Sequence, residues 1–175
     1  MGQPKALLLW EGETFVGRLA RILAACCDRV VVVVGYDADA VKAAAPAGVL
    51  VAANPEPERG MLSSLQCGLR AAGDVEAAMF LPVDLGTVRG ATVARIAAEA
   101  GIAPVTAPVF EGAHGHPVCI SRAIIEEILA LPDGSQARDV IRRHRGETRF
   151  IEVDDEGVVR DADTPEDYRA LAETR

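Results

Sequence analysis

No apolar run in the chain reaches membrane-spanning length: residues 7–10 and 30–34 stop far short of the roughly 20 needed. Positive charge is in deficit. Lys and Arg number 18 against 26 Asp and Glu, a net charge of −8, which repels a phosphate backbone or an anionic bilayer at long range. Nucleic acid and membrane are therefore not expected as partners, whereas a small anionic substrate stays open where a metal ion or a cluster of donors offsets the repulsion. No C-x-x-C pair is present among Cys26, Cys27, Cys67 and Cys119, so neither a zinc ribbon nor a redox motif is expected. The adjacent Cys26 and Cys27 lie in an apolar stretch and read as buried thiols of a reducing cytoplasm. Gly2, Gln3 and Pro4 precede anything apolar, so no secretory signal is read there. Repeats of roughly 20 to 50 residues and low-complexity tracts are absent too, which excludes solenoids and linkers.

What is present suffices for a packed core. A chain of 175 residues, half of them hydrophobic, is expected to fold as one domain over 1–175 without disulfides or a structural metal. Residues 14–27 read as a helix with Phe15, Leu19, Ile22 and Leu23 on one face, leading into the β-branched run 30–34. A continuous run of that kind suits a parallel strand covered on both faces. Helices are expected at 39–45, 63–72, 91–100, 122–131, 136–144 and 164–173, and strands at 49–53, 77–83, 103–109, 116–120 and 149–153. Near-regular alternation defines an α/β fold, three-layered and doubly wound around a mostly parallel sheet, with a ligand site outside the carboxyl ends of the strands.

Several residues could carry chemistry there. Asp84 ends the apolar segment 77–83 at that rim; it reads equally as a ligand group or as a turn or helix-capping aspartate. In the run 161–167, Thr164 can cap a helix, Pro165 fits its first position and Asp167 closes a capping box, which leaves Asp163 without a structural task. Two such aspartates, if they meet at one rim, supply the hard oxygens that Mg2+ takes alongside substrate phosphates. Lys5, beside a Gly2-x-Pro4 turn and one of only two lysines, offers a point charge for phosphate. Segment 54–68 is a polar loop feeding a helix, in which Ser63 and Gln66 have capping-box spacing; its other reading is a helix N-terminus presenting N–H groups to a nucleotide. His114 and His116 are spaced as zinc could use, but no third ligand follows.

Taken together, these segments resemble the nucleotidyltransferases of molybdenum-cofactor biosynthesis, the cytidylyl branch more than the guanylyl. The resemblance rests on Met1-Gly2-Gln3-Pro4-Lys5 with Leu7 to Trp10, on Asn54-Pro55 with Gly60 to Leu65, on Asp84, on Gly115-His116-Pro117-Val118, and on Asp163 to Asp167. It implies a Rossmann-like fold of the nucleotide-diphospho-sugar transferase kind. It also implies transfer of CMP from CTP to a phosphorylated pterin, with pyrophosphate leaving. Lys5, Asp84 and Asp163 would be catalytic, and Asp84 and Asp163 would hold Mg2+. Gly2, Pro4, Lys5, Asn54, Gly60, Ser63 and Ser64 would bind nucleotide, and Gly115, His116 and Pro117 would face the acceptor. Two departures stand out: Gly86 replaces the family's proline, and the family's first strand with its glycine-rich triphosphate loop has no counterpart before Met1. Two other readings stay open: a non-catalytic nucleotide- or pterin-binding paralogue, which the missing loop and Gly86 both motivate, and a guanylyl or sugar-phosphate nucleotidyltransferase, which shares the fold and the metal logic. That missing strand also predicts an empty slot between 30–34 and 77–83. Residues 6–10 are expected to fill it as a ladder-bonded strand, within the chain or across a homodimer, displacing Lys5.

Overall fold

The computed structural model describes residues 4–36, 38–162, 164 and 166–169. The chain begins with a 3-10 turn at Lys5–Leu7, followed by a two-residue hairpin of β1 (Leu9–Trp10) and β2 (Glu13–Thr14). Glu11 and Gly12 both have positive φ, 52° and 85°, the left-handed pair that a tight hairpin turn requires. Leu9 pairs with Thr14 and Trp10 with Glu13. Here the structure corrects the slot-filling expectation. Residues 6–10 spend their backbone groups locally, because closing a two-residue loop costs far less chain entropy than reaching a distant ladder.

Helix α1 (Phe15–Ala24) starts at Thr14, whose Oγ1 accepts the Gly17 N–H at 3.1 Å, a direct N-cap. The alternation then runs β3 (Val31–Val34), α2 (Ala38–Ala44), β4 (Leu50–Ala53), α3 (Met61–Ala72), β5 (Ala77–Phe80), α4 (Gly90–Ala98) and β6 (Val105–Phe110). It continues with β7 (Ala113–His114), β8 (Val118–Ser121), α5 (Arg122–Leu129), α6 (Ala137–Arg143) and β9 (Thr148–Glu152), and residues 166–169 are helical. Thr164 and Asp167 form the expected capping box: Asp167 Oδ2 accepts the Thr164 N–H at 2.7 Å, and Thr164 Oγ1 accepts the Asp167 N–H at 3.1 Å.

Strands β3 and β4 pair in parallel, as do β6 and β9. Strand β8 runs antiparallel between β5 and β6, so β5, β6 and β9 all point one way. This is an α/β fold with a parallel-dominated sheet, and the sheet is interrupted: among the described residues no hydrogen bond joins β3 to β5. The two strands nevertheless share the same covering helices. On one face, α1 places Val16 with Val32 and Val34, and Leu19 and Ile22 with Met79 and Leu81. On the other, α3 places Leu62 and Leu69 with Ala78 and Phe80, while Gly68 lies against Val33. Strands β3 and β5 thus face each other across an open line beneath two helices.

Candidate functional site

The carboxyl ends of β3 and β5 and the start of α3 converge on one rim. After β5 the chain turns at residues 82–85, where the Leu85 N–H donates to Pro82 O at 3.3 Å, and Asp84 stands in that turn. Its carboxylate lies 3.7 Å from Lys5 Nζ, with both side chains about one-third exposed or less. An ion pair so placed adds at most about 1 kcal/mol to stability, so its interest is chemical. Lys5 is therefore not carried away from the aspartate, contrary to what the strand-filling expectation required. Ala6, next to it, is buried with Val34 and Val41, which anchors the turn that presents the ammonium. Asp84 caps no helix: α4 begins at Gly90, and the carboxylate serving its first turn belongs to Asp155.

The backbone carbonyl of Asp84 accepts the N–H of Ala162 at 3.0 Å, and Ala162 is fully buried against Leu8 and Phe15. This ties the segment leading to Asp163 onto the Asp84 turn. Asp163 and Gly2 lie outside the described residues. Pro4, half-buried, precedes Lys5 and accepts the Leu7 N–H at 2.9 Å.

Loop 54–60 is shaped by Asn54. Its Nδ2 donates to Ser63 Oγ at 2.9 Å and Ser64 Oγ at 3.1 Å, while its Oδ1 accepts the Glu56 N–H at 3.1 Å. The capping-box expectation for Ser63 and Gln66 is corrected. Helix α3 starts two residues before Ser63, at Met61 after Gly60, whose φ of 85° suits glycine. Ser63 Oγ donates back to Gly60 O at 2.8 Å, and buried Gln66 donates to Ile128 O and Leu131 O, closing the end of α5. Asn54 and Ser63 are thus committed to loop shape at the start of α3. Both residues also line a cavity of about 230 Å³ with Arg59, Cys67 and Arg70; Lys5 and Asp84 are not in its wall.

On the far side of β5, Gly115 and Pro117 are buried and His116 is half-buried. A Cβ at Gly115 would overlap Val158, whose carbonyl accepts the His116 N–H at 2.9 Å. The His116 ring meets Phe80 edge-on at 5.6 Å. Burial holds its pKa below the ordinary imidazole value, which keeps it neutral. His114 instead packs tilted on Phe150 with centroids 4.3 Å apart, away from the Phe80 contact of His116.

Sequence reasoning missed Arg18. It lies on the buried face of α1 and donates through Nη1 to Gly86 O and Val88 O, both at 2.8 Å. Its signal was legible: 15, 18, 19 and 22 are one helical face, and an arginine interrupts it. Gly86 also finds its reason here, since a Cβ at that position would overlap the Phe15 ring. The Cys26 and Cys27 thiols, expected to be buried, are half-buried, because α1 ends just before them; burial and the neighbouring thiols push Cys27 up to about 12.

Among the described residues no three His, Cys, Asp or Glu side chains cluster as a self-contained metal site. Asp84 nevertheless fits Mg2+, which takes only one or two carboxylates and completes its shell with water and substrate phosphates.

The α/β fold with its parallel-dominated sheet is the nucleotidyltransferase fold, and Lys5 and Asp84 meet at its carboxyl rim. Residues 1–148 match the MobA-like NTP transferase domain, and the chain belongs to that family. It is 23% identical over 170 residues to the molybdenum cofactor cytidylyltransferase of Escherichia coli strain K12, covering 96% of this chain and 86% of that protein. Its fold is similar to Rv0371c of Mycobacterium tuberculosis H37Rv, with TM-score 0.86, 28% identity and coverage of 99% and 90%. A structure of Rv0371c in complex with manganese matches with TM-score 0.83, 26% identity and coverage of 98% and 92%.

Proposed function

We propose that the chain transfers a cytidylyl group from CTP to a phosphorylated pterin, with pyrophosphate leaving. The observation that carries this reading is the meeting of Lys5 and Asp84 at 3.7 Å on the rim, with the segment before Asp163 bonded to the same turn. The cytidylyltransferase among the relatives supports the choice of CTP, and the manganese complex of Rv0371c supports a divalent cation.

In this reading the N-terminus of α3, with Gly60, Ser63 and Ser64, receives the nucleotide, since a helix N-terminus favours a polar, electron-rich ligand. The terminal phosphate of the pterin approaches from the side of Gly115, His116 and Pro117. Its oxygen attacks the α-phosphorus in line as the bond to pyrophosphate breaks. Lys5 neutralises charge on the transferring and leaving phosphates. Asp84 and Asp163 would hold Mg2+, which supplies positive charge to the phosphate oxygens. Neutral His116, wedged against Phe80, shapes the acceptor side without adding a charge that would trap the acceptor phosphate. No side-chain nucleophile is required, so catalysis consists of positioning and electrostatics. The four free thiols are compatible with work in a reducing cytoplasm.

Calorimetry with CTP and Mg2+, followed by a pyrophosphate-release assay with a phosphorylated pterin, tests the reading. The unaltered chain should bind CTP only with the metal, and Asp84→Ala should lower turnover by orders of magnitude while melting normally. Undiminished turnover in folded Asp84→Ala would overturn it. Pterin binding with no CTP binding would establish a binding protein instead.

A further inference from the structure

Arg18 is 8% exposed, and among the described residues it forms no ion pair. Its neighbours on α1 carry ordinary core side chains, Phe15 at 0% and Leu19 at 5% exposure. A buried cation with no carboxylate in direct contact is expensive even with Glu11, Glu13 and Asp155 nearby, and an apolar residue at such a place usually serves stability better. What the guanidinium does is specific. One of its nitrogens holds two carbonyls, Gly86 and Val88, each at 2.8 Å. These are the second and fourth residues after Asp84. The Phe15 ring closes on Gly86 from the same helix, and the Val88 N–H returns to Leu85 O at 3.2 Å. The turn that presents Asp84 is therefore gripped from inside by α1, through one cation and one ring.

We infer that Arg18 is a positioning residue for Asp84: it fixes the 85–88 turn so that the carboxylate is presented to a divalent cation in a set direction. The inference rests on the reading of Asp84 as a metal ligand. Burial lowers the Arg18 pKa, yet a guanidinium stays protonated in proteins, so the grip persists across ordinary pH. Groups that orient a ligand from behind contribute about 10- to 100-fold to metal affinity elsewhere.

The test is a Mn2+ titration of the full chain, free Mn2+ being read by its electron paramagnetic resonance signal, with a melting curve for each variant. Arg18→Met should weaken Mn2+ binding about tenfold or more and still melt cooperatively. Arg18→Lys, which keeps the charge but on a shorter, more flexible stem without the planar guanidinium, should lose about threefold, less than Arg18→Met. Asp84→Asn should bind no Mn2+ above background. A merely structural arginine would lower the melting temperature and leave the affinity alone. Unchanged affinity in Arg18→Met, with binding lost in Asp84→Asn, overturns the positioning role and leaves the functional reading standing. Unchanged binding in Asp84→Asn, or none in the unaltered chain, overturns the metal reading and this inference with it. Should Arg18→Met not fold, Arg18→Lys decides: a loss of about threefold supports the role, and equality with the unaltered chain removes it.

Discussion

Strands β6 and β8 and strands β3 and β5 are built from similar apolar residues, yet only the first pair is buried. Val105 to Val109 and Val118 to Ile120 are all buried, whereas β5 is half-buried throughout and β3 is buried only at Val34. Helices cover all four strands. The difference lies in the plane of the sheet: among the described residues β6 has β8 and β9 beside it, while β3 pairs with β4 alone and β5 with β8 alone. Composition decides that a strand is apolar. Lateral pairing decides whether water reaches it.

Mutation of the closed half should break the molecule first. Ile120 is 1% exposed within a cluster shared by α3, α5 and α6, so Ile120→Ala should cost about 4 kcal/mol by urea unfolding. Asp155, also in the closed half, accepts from Arg89 N–H at 2.9 Å, Thr92 Oγ1 at 2.6 Å and Gly157 N–H at 3.1 Å. Asp155→Ala strands buried donors and should cost about 2–3 kcal/mol. Val33→Ala, at the open line, should cost only about 1 kcal/mol. Equal losses at Ile120 and Val33 would show that the line is closed in solution. Hydrogen exchange sharpens the point without mutation: amides of β8 should exchange through global opening, and those on the unpaired edges of β3 and β5 much faster.

The smallest effect is set by pH. His116 has a folded pKa below its unfolded value near 6.5 because burial penalises the imidazolium. Below pH about 6.5 the unfolded chain binds more protons, so stability falls as the pH drops and levels off below the folded pKa. Melting temperatures between about pH 7.5 and 5.5 should decline, and His116→Gln should flatten the decline. An unaltered slope in that variant would assign the sensitivity to other groups.

Element order was legible because periodicity is local: α1 shows its face through Phe15, Leu19 and Ile22, and β3 shows itself as four consecutive valines. A slot between β3 and β5 was expected from the same reading, but as one that residues 6–10 would fill, and it is open among the described residues. Residues 6–10 went wrong because their apolar character says nothing about which partner they choose, and the Glu11-Gly12 turn settled the choice within two residues. Capping by Ser63 failed for a related reason, since Gly60 can start the helix earlier by adopting a φ closed to most residues. At the site, Asp84 was visible because a carboxylate ending an apolar strand is conspicuous. Asp155 was not, being one of two adjacent aspartates whose donors from Arg89 and Thr92 lie 66 and 63 positions away in the chain.

The open line also has a mechanical meaning. On one side stand β3, β4 and the loop that begins at Asn54; on the other stand β5 and Asp84. What connects the two sides across the line is side-chain packing under α1 and α3, which can slide, rather than a ladder of hydrogen bonds, which must break. Among the described residues no inter-strand bond need be lost for the two leaves to shift, so the separation between the loop that begins at Asn54 and Asp84 is held by packing alone across the line. Whatever occupies that line would act as a stiffener, converting a compliant cleft into a fixed gauge.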